Sequence, residues 1–327
     1  LLVLGILSIC AFVLVLQKNN TVVNEKYVKN NHNIIIRILG NNIEGLHGNT
    51  QTYDNLNFTL LNEPVFKNCD KIFILNRIIN STEKQQYIDL LNQYSVKYID
   101  IPFEYDKFNK LPKYNIDSSE IEKIKNNSRY RSKKLMNLLY RHNLYIVNNN
   151  GARNSAINYG KKHNYKWTFV FDSNQYLTQQ QYDNIMNNID DTDGVKYITI
   201  PQLRLSDGGL TNDDIINNSD KLTELPIQEH QIAFKNSANE KFNDKLPYGA
   251  SPKAEFLRRL GVPGKWQLWN DGENLYNIPD RKSIKEKWKV LGSVYRLHPG
   301  NSSNNVKQNF NKRLLGLHSM VAKLLNN

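Results

Sequence analysis

Asn150-Gly151-Ala152-Arg153-Asn154-Ser155 and, further along, Trp167-Thr168-Phe169-Val170-Phe171-Asp172-Ser173-Asn174 are the stretches on which the reading of this chain turns. The first is a turn of small residues opening a helix, expected over 152–163. Free amides and the dipole at such a helix start favour anions. Arg153 adds a planar, permanently charged fork suited to phosphate or carboxylate. The second stretch is a largely apolar run, the pattern of a buried strand, and it delivers Asp172 to its C-terminal end. A carboxylate there can accept hydrogen bonds from ribose hydroxyls or hold a divalent cation; capping the following turn is its plainer use.

Upstream, residues 71–76 read as a short buried strand, 82–94 as a helix with Ile88, Leu90, Leu91 and Tyr94 at helical spacing, and 96–102 as a second strand. That is the length a right-handed parallel crossover needs. A helix is expected near 118–125 and another over 132–142, with Leu135, Leu138 and Leu139 on one face. Beyond Asp172 come a helix over 178–188, strands over 195–200 and 229–234, a helix opened by proline over 252–260, and a strand over 293–297. An amphipathic helix over 306–325 closes the chain. Strands alternating with helices predict an α/β domain, a mostly parallel sheet with helices on both faces. Ligands sit beyond the C-terminal strand ends of such sheets, so the loops after Asn76, Pro102 and Phe171 draw interest.

The 327 residues suffice for one large domain or two small ones. Residues 1–16 read LLVLGILSICAFVLVL, without a charge. A membrane-crossing helix needs roughly 20 apolar residues, and the chain opens on Leu, so the run is expected to continue upstream as a signal anchor. A cleaved signal peptide is the competing reading. Residues 17–65 are polar and irregular, which suits a stem. Sequons at Asn19, Asn57, Asn80, Asn126, Asn217 and Asn301 fit a luminal domain, although an asparagine-rich chain also produces such triplets by chance. The net charge of +12 invites a nucleic-acid reading. Against it, the basic residues are scattered among 31 acidic ones and no zinc-finger, basic-zipper or RNA-binding motif occurs; no nucleic-acid partner is expected. Of the two cysteines, Cys10 lies in the apolar run, so no bridge within the domain and no zinc set are expected. Cys69 reads as a buried small hydrophobe or as a bridge to another chain.

Taken in order, Gly151-Ala152-Arg153-Asn154 and Phe171-Asp172-Ser173-Asn174 resemble glycosyltransferase family 2 and its relatives of the GT-A fold. There, a turn with Ala-Arg-Asn opens a helix and an apolar strand ends in Asp-x-Asp. The resemblance spans 70–205, with an echo over 252–273. It implies a GT-A-like fold divided into a transmembrane anchor (1–17), a stem (18–65), a nucleotide-sugar-binding subdomain (66–205) and an acceptor-side subdomain with the closing helix (206–327). It further implies a nucleotide-sugar donor held by Asn76, Arg77, Arg153, Asn154, Asp172 and Asn174, a glycan-type acceptor, and a Golgi or ER membrane location with the domain in the lumen. Asn174 departs from the family pattern: an amide stands where a second acid ligates Mn or Mg, which puts the divalent cation in question. His298 is a candidate late metal ligand beside Asp172.

An inverting transfer needs a carboxylate to take the acceptor's proton. The resemblance puts it in the tract that includes Trp266 and Trp269-Asn270-Asp271-Gly272-Glu273, Asp271 first and Glu273 second; a surface Asp-Gly turn is the plain alternative. Glu229 (with His230 beside it), Trp266 and Trp269 are expected on the acceptor side. Two other functions stay open, because fold alone does not fix function. A sugar nucleotidyltransferase would carry a Gly-rich loop with a lysine after the first strand, which Asn76-Arg77-Ile78-Ile79 does not supply. A luminal glycan-binding domain would hold glycan without turning over a donor.

Overall fold

The sheet is organised around a strand inside the expected stem. In a computed structural model, which describes residues 31–113 apart from 46 and 49, then 119, 122, 129–189, 193–249, 251–268, 281–297 and 306–326, Asn33–Leu39 (β1) is buried along its whole length. It runs parallel to Cys69–Asn76 (β2) on one side and to Trp167–Asp172 (β4) on the other, while Lys97–Ile101 (β3) extends the parallel half beyond β2. Residues 51–62 of the same tract form a helix, Gln51–Asn62 (α1). The expectation of a stem over 18–65 is therefore corrected from residue 31 onward.

Arg37 is what disguised β1, since it breaks the run of isoleucines. It is fully buried, ion-paired with Glu63, donates from Nε to the Gln175 carbonyl at 2.9 Å, and lies 6.0 and 5.7 Å from the ring centroids of Phe73 and Phe171. A buried charge is tolerated when paired and hydrogen-bonded in this way.

The other half of the sheet is mixed. Ile227–Lys235 (β7) is antiparallel both to β4 and to Tyr197–Arg204 (β6); Trp288–Val290 (β8) and Val294–Arg296 (β9) run parallel to β6; Gln175–Tyr176 (β5) pairs antiparallel with β9. Among the described residues the order is β3-β2-β1-β4-β7-β6-β9-β5, with β8 beside β6. Because β5 follows β4 directly in the chain yet pairs at the far end of that order, the sheet curls over the C-terminal end of β4. The expected mostly parallel sheet is thus a curled one with an antiparallel strand in its middle. β7, from the expected second subdomain, lies between two strands of the first, so no division at 205/206 appears in the sheet.

Helices cover both faces, as expected, and the two-residue strand period decides which side chain goes where. Ile34, Ile36 and Ile38 pack with Ala152, Ala156 and Ile157 of Asn149–Lys162 (α5) and Phe256, Leu257 and Leu260 of Pro252–Leu260 (α8). On the opposite face, Ile35 meets Tyr182 and Ile185 of Gln179–Asn187 (α6), and Leu39 meets Leu56 of α1 and Tyr87, Leu90 and Leu91 of Ser81–Gln93 (α2). A Cβ added to Gly160 would stand 1.8 Å from Thr168 Oγ1, so glycine is what lets α5 lie directly on β4. Beside this sandwich, Leu135, Met136 and Leu139 of Arg129–Ile146 (α4) pack with Leu314, Leu317 and Val321 of Val306–Leu325 (α9) and with Phe108 of Tyr105–Asn109 (α3). Between β6 and β7 the chain makes one short α-helix, Asp213–Ile216 (α7), flanked by the 3-10 turns Leu205–Gly208 and Asp220–Glu224.

Among the described residues no helix is long and apolar enough to cross a membrane. The expected anchor (1–17) and the helix expected near 118–125 lie outside the described residues, apart from Ser119 and Glu122. Cys69 is a free, partly buried thiol, pushed up to about 12 by that burial.

Candidate functional site

A cleft of 920 Å³ opens at the C-terminal ends of β1 and β4. Ile38 and Gly40 come from the end of β1, Asp172, Ser173 and Asn174 from the end of β4, and Glu229 and His230 from the start of β7. β7 brings its first residues there because it runs antiparallel to β4. The α8 helix contributes Lys253, β9 contributes Arg296, and α9 contributes Arg313.

Asp172 sits between two cations. Arg153 Nη2 donates to its Oδ1 at 2.7 Å and Lys253 Nζ to its Oδ2 at 3.2 Å. Lys253 Nζ also lies 3.5 Å from Glu229 Oε2, and its side chain is only 4% exposed. Arg153 is aimed by Asn150, whose Oδ1 accepts from Nη1 at 2.9 Å while its Nδ2 donates to the Asn243 carbonyl at 2.7 Å. Burial alone would raise the Asp172 carboxyl, but Lys253 and then Arg153 hold it far below the usual carboxylate range. It is an anion at any physiological pH.

The cleft is rich in positive charge. Burial, then the neighbouring Arg204, pushes the Arg296 guanidinium below its ordinary value, while Asp172 and Glu229 pull the other way. The Nε atoms of Arg296 and Arg313 are buried and have no hydrogen-bond partner among the described residues. Two histidines report the same field. His230 is lowered to about 4 by burial and by Lys253, and His47 to about 4 by burial and by Arg313 and Arg296. Both rings are neutral at pH 7. His47 Nδ1 accepts from the Ile43 amide at 3.0 Å, which leaves its proton on Nε2. His230 packs edge-on to Trp266, with centroids 5.0 Å apart.

The donor set suits a divalent cation poorly. Both Asp172 oxygens are engaged by cations, and the Asn174 side-chain oxygen accepts from Gln175 Nε2 at 3.0 Å. Among the described residues, no group of three His, Cys, Asp or Glu side chains could hold a metal ion.

Of the side chains expected from sequence, Arg153, Asp172, Asn174, Glu229 and Trp266 line the cleft. Asn76, Arg77 and Asn154 do not; their side chains tie backbone together instead. Asn76 Nδ2 donates to the Val147 carbonyl at 2.6 Å, and its Oδ1 accepts from Asn148 Nδ2 at 3.2 Å. Arg77 donates to the Tyr145 carbonyl at 2.5 Å and stacks over that ring at 4.2 Å. Asn154 clasps both backbone atoms of Phe242 at 3.0 Å. Trp269, Asp271, Glu273 and His298 lie outside the described residues.

Lys253, Arg296, Arg313 and His47 carry no motif. Only Lys253 left a trace: a lysine in the first turn of a helix faces the positive end of the dipole, a mismatch that makes sense once Asp172 and Glu229 surround it.

No family model matches the chain, and no curated protein matches it. Among solved structures it is similar to glucosyl-3-phosphoglycerate synthase from Mycobacterium tuberculosis in complex with phosphoglyceric acid, at 8% identity and a TM-score of 0.30 over 89% of this chain and 80% of that chain. It is similar to the same enzyme with Mg2+ and uridine-diphosphate at 6% identity and a TM-score of 0.31, over 89% and 79%. A cytidylyltransferase from Leptospira borgpetersenii serovar Hardjo-bovis gives 8% and 0.31, over 90% and 94%. These likenesses are faint, and function has to be read from the cleft itself.

Proposed function

We propose that this chain transfers a glycosyl group from a nucleoside-diphosphate sugar to a hydroxyl of a glycan, protein or lipid acceptor. The observation that carries the reading is the cation-lined cleft at the ends of β1 and β4, with Asp172 fixed between Arg153 and Lys253. A diphosphate leaving group gains negative charge as its bond to the anomeric carbon breaks, and fixed cations stabilise that charge without reorganising. Asp172, permanently ionised, is suited to accept from sugar or ribose hydroxyls.

On the acceptor side, Glu229 and the neutral ring of His230 offer acceptor atoms for hydroxyls, and Trp266 offers an apolar face. In an inverting transfer, the acceptor oxygen attacks the anomeric carbon from the face opposite the diphosphate. Its proton passes to a carboxylate, and the nucleoside diphosphate departs with the bonding electrons. Asp271 is the proposed proton acceptor, with Glu273 second; Asp271 follows the cleft residue Trp266 by five positions. A signal anchor over 1–17, with the domain in the Golgi or ER lumen, completes the proposal and rests on the uncharged apolar run at residues 1–16.

One observation favours a second reading. The strand that leads into the cleft is β1, and the loop after it, which carries Gly40, Gly45 and Gly48, contributes Gly40, Asn41 and His47 to the lining. A sugar nucleotidyltransferase would use such a loop for a nucleoside triphosphate, although no lysine stands in it.

A thermal-shift screen of the full chain against UDP, GDP, CMP, their sugars, UTP and CTP separates these readings. Saturation at 100 times the dissociation constant adds about 2.7 kcal/mol. A selective shift with one diphosphate and its sugar is expected, followed by release of that diphosphate when acceptor is added. Triphosphate selectivity with release of pyrophosphate would favour the second reading. A folded chain that binds none of these, but binds glycan, would leave a glycan-binding domain without turnover.

A further inference from the structure

We propose that the diphosphate of the donor is neutralised by side chains of the chain itself, chiefly Lys253, Arg296 and Arg313, and not by a divalent cation. This deepens the reading of the cleft as a nucleoside-diphosphate site and rests on it.

The first ground is that Asp172, the residue a metal would need, is already a counter-ion. Each of its oxygens accepts from a different cation, at 2.7 and 3.2 Å. Lys253 Nζ is held between Asp172 and Glu229 at the cleft wall, the position in which a bound cation would bridge two carboxylates. With Asn174 engaged by Gln175, a divalent ion would have to displace a buried ammonium and a guanidinium before it gained both oxygens of Asp172. Displacing an ion-paired, buried charge leaves it uncompensated, and that is strongly unfavourable.

The second ground is unspent hydrogen-bonding capacity. Arg296 and Arg313 both line the cleft, and the Nε of each is buried and finds no acceptor among the described residues. Buried donors are nearly always satisfied, and an unsatisfied one on a charged group is costly. Two of them beside one cavity point to an acceptor-rich ligand. The third ground is charge. Five cations among the described lining residues (Arg153, Lys253, Lys265, Arg296 and Arg313) face two carboxylates (Asp172 and Glu229), an excess of three positive charges. Both cleft histidines are held neutral by burial together with this field. A diphosphate relieves the mutual repulsion of those cations; an added divalent ion would increase it.

Inorganic pyrophosphate is the probe, titrated calorimetrically into the full chain in EDTA and then in Mn2+. Binding in EDTA is expected, with a dissociation constant that changes less than threefold when Mn2+ replaces the chelator. Arg296→Gln and Arg313→Gln are each expected to weaken it tenfold or more without shifting the ligand-free melting temperature. Should either variant melt early, Arg296→Lys and Arg313→Lys take their place, and retained binding there with loss in the other Gln variant still supports the grip. Binding that appears only with Mn2+ overturns the inference and leaves the proposed function standing, as does binding in EDTA that neither arginine affects. If no nucleoside diphosphate binds with or without Mn2+, the proposed function falls and this inference with it.

Discussion

Replacing Lys253 by Met removes the ammonium that Asp172 and Glu229 share while keeping most of the buried stem in place. Breaking a fully buried pair from one side costs about 3–5 kcal/mol. Here the Asp172 and Glu229 side chains are 35% and 40% exposed, and Asp172 keeps Arg153 at 2.7 Å. Solvent screens what remains, so the loss at pH 7 should be about 1–2 kcal/mol. Its pH dependence is the sharper signature. Asp172 is depressed in the folded chain, so its contribution is fully present above the unfolded carboxylate value of about 3.9 and is lost as pH falls from there through the folded value. In Lys253→Met the folded value rises back toward 3.9, and the acid-side loss shrinks. Urea unfolding of both proteins at pH 7, 5 and 3.5 should therefore give a gap that is constant from 7 to 5 and narrows at 3.5. A gap that stays the same down to pH 3.5 would refute the claim that Lys253 acts on Asp172 by charge, and would assign the loss to packing.

Three further outcomes follow from the fold and the site. Ile36 is fully buried in β1, so Ile36→Ala should cost about 3 kcal/mol; at ~2.1 cal/mol/K per residue over the 327 residues this lowers the melting temperature by ~4 °C, whereas an unchanged melt would return 31–65 to the role of a tether. Gly160→Ala forces a methyl against Thr168 Oγ1 and should destabilise by about 1–3 kcal/mol in chemical denaturation; a neutral result would mean that α5 does not press on β4. His230 titrates near 4 rather than near its ordinary value, so the unfolded chain binds the extra proton first and stability falls as pH drops from about 6.5 toward 4. His230→Gln should flatten that slope, and an imidazole NMR midpoint above 6 would contradict the burial that depresses it.

Where the chain advertises its structure, it does so through short apolar runs and helical spacing. β4 has no charged residue before Asp172, and α8 and α9 run over the residues their patterns mark. β1 does not advertise itself, because Arg37 is tolerated only through Glu63, contributed from beyond α1, and through two aromatic rings from other strands. None of those contacts is local, so no window of sequence contains them. Missing β1 also shifted the site by one strand. With β2 taken as the first strand, the donor loop fell on Asn76 and Arg77, whereas the loop that lines the cleft follows β1 and includes Gly40, Asn41 and His47. The motif residues Arg153 and Asp172 were legible because both sit next to regular elements with clear periodicity. Arg296 and Arg313 were not, since only the curl of the sheet and the docking of α9 bring them to the same opening.

The reversed strand β7 gives the molecule a modular property. Because it runs against β4, its first residues reach the rim where β4 ends, so Glu229 and His230 stand beside Asp172 although they come much later in the chain. On the function proposed above, donor-facing and acceptor-facing groups occupy adjacent strands but belong to separate stretches of sequence. A substitution or insertion in the connection that feeds β7 can reshape one side of the cleft while the strand that presents Asp172 keeps its register. A scaffold wired in this way can vary one wall of its cleft while the opposite wall stays fixed.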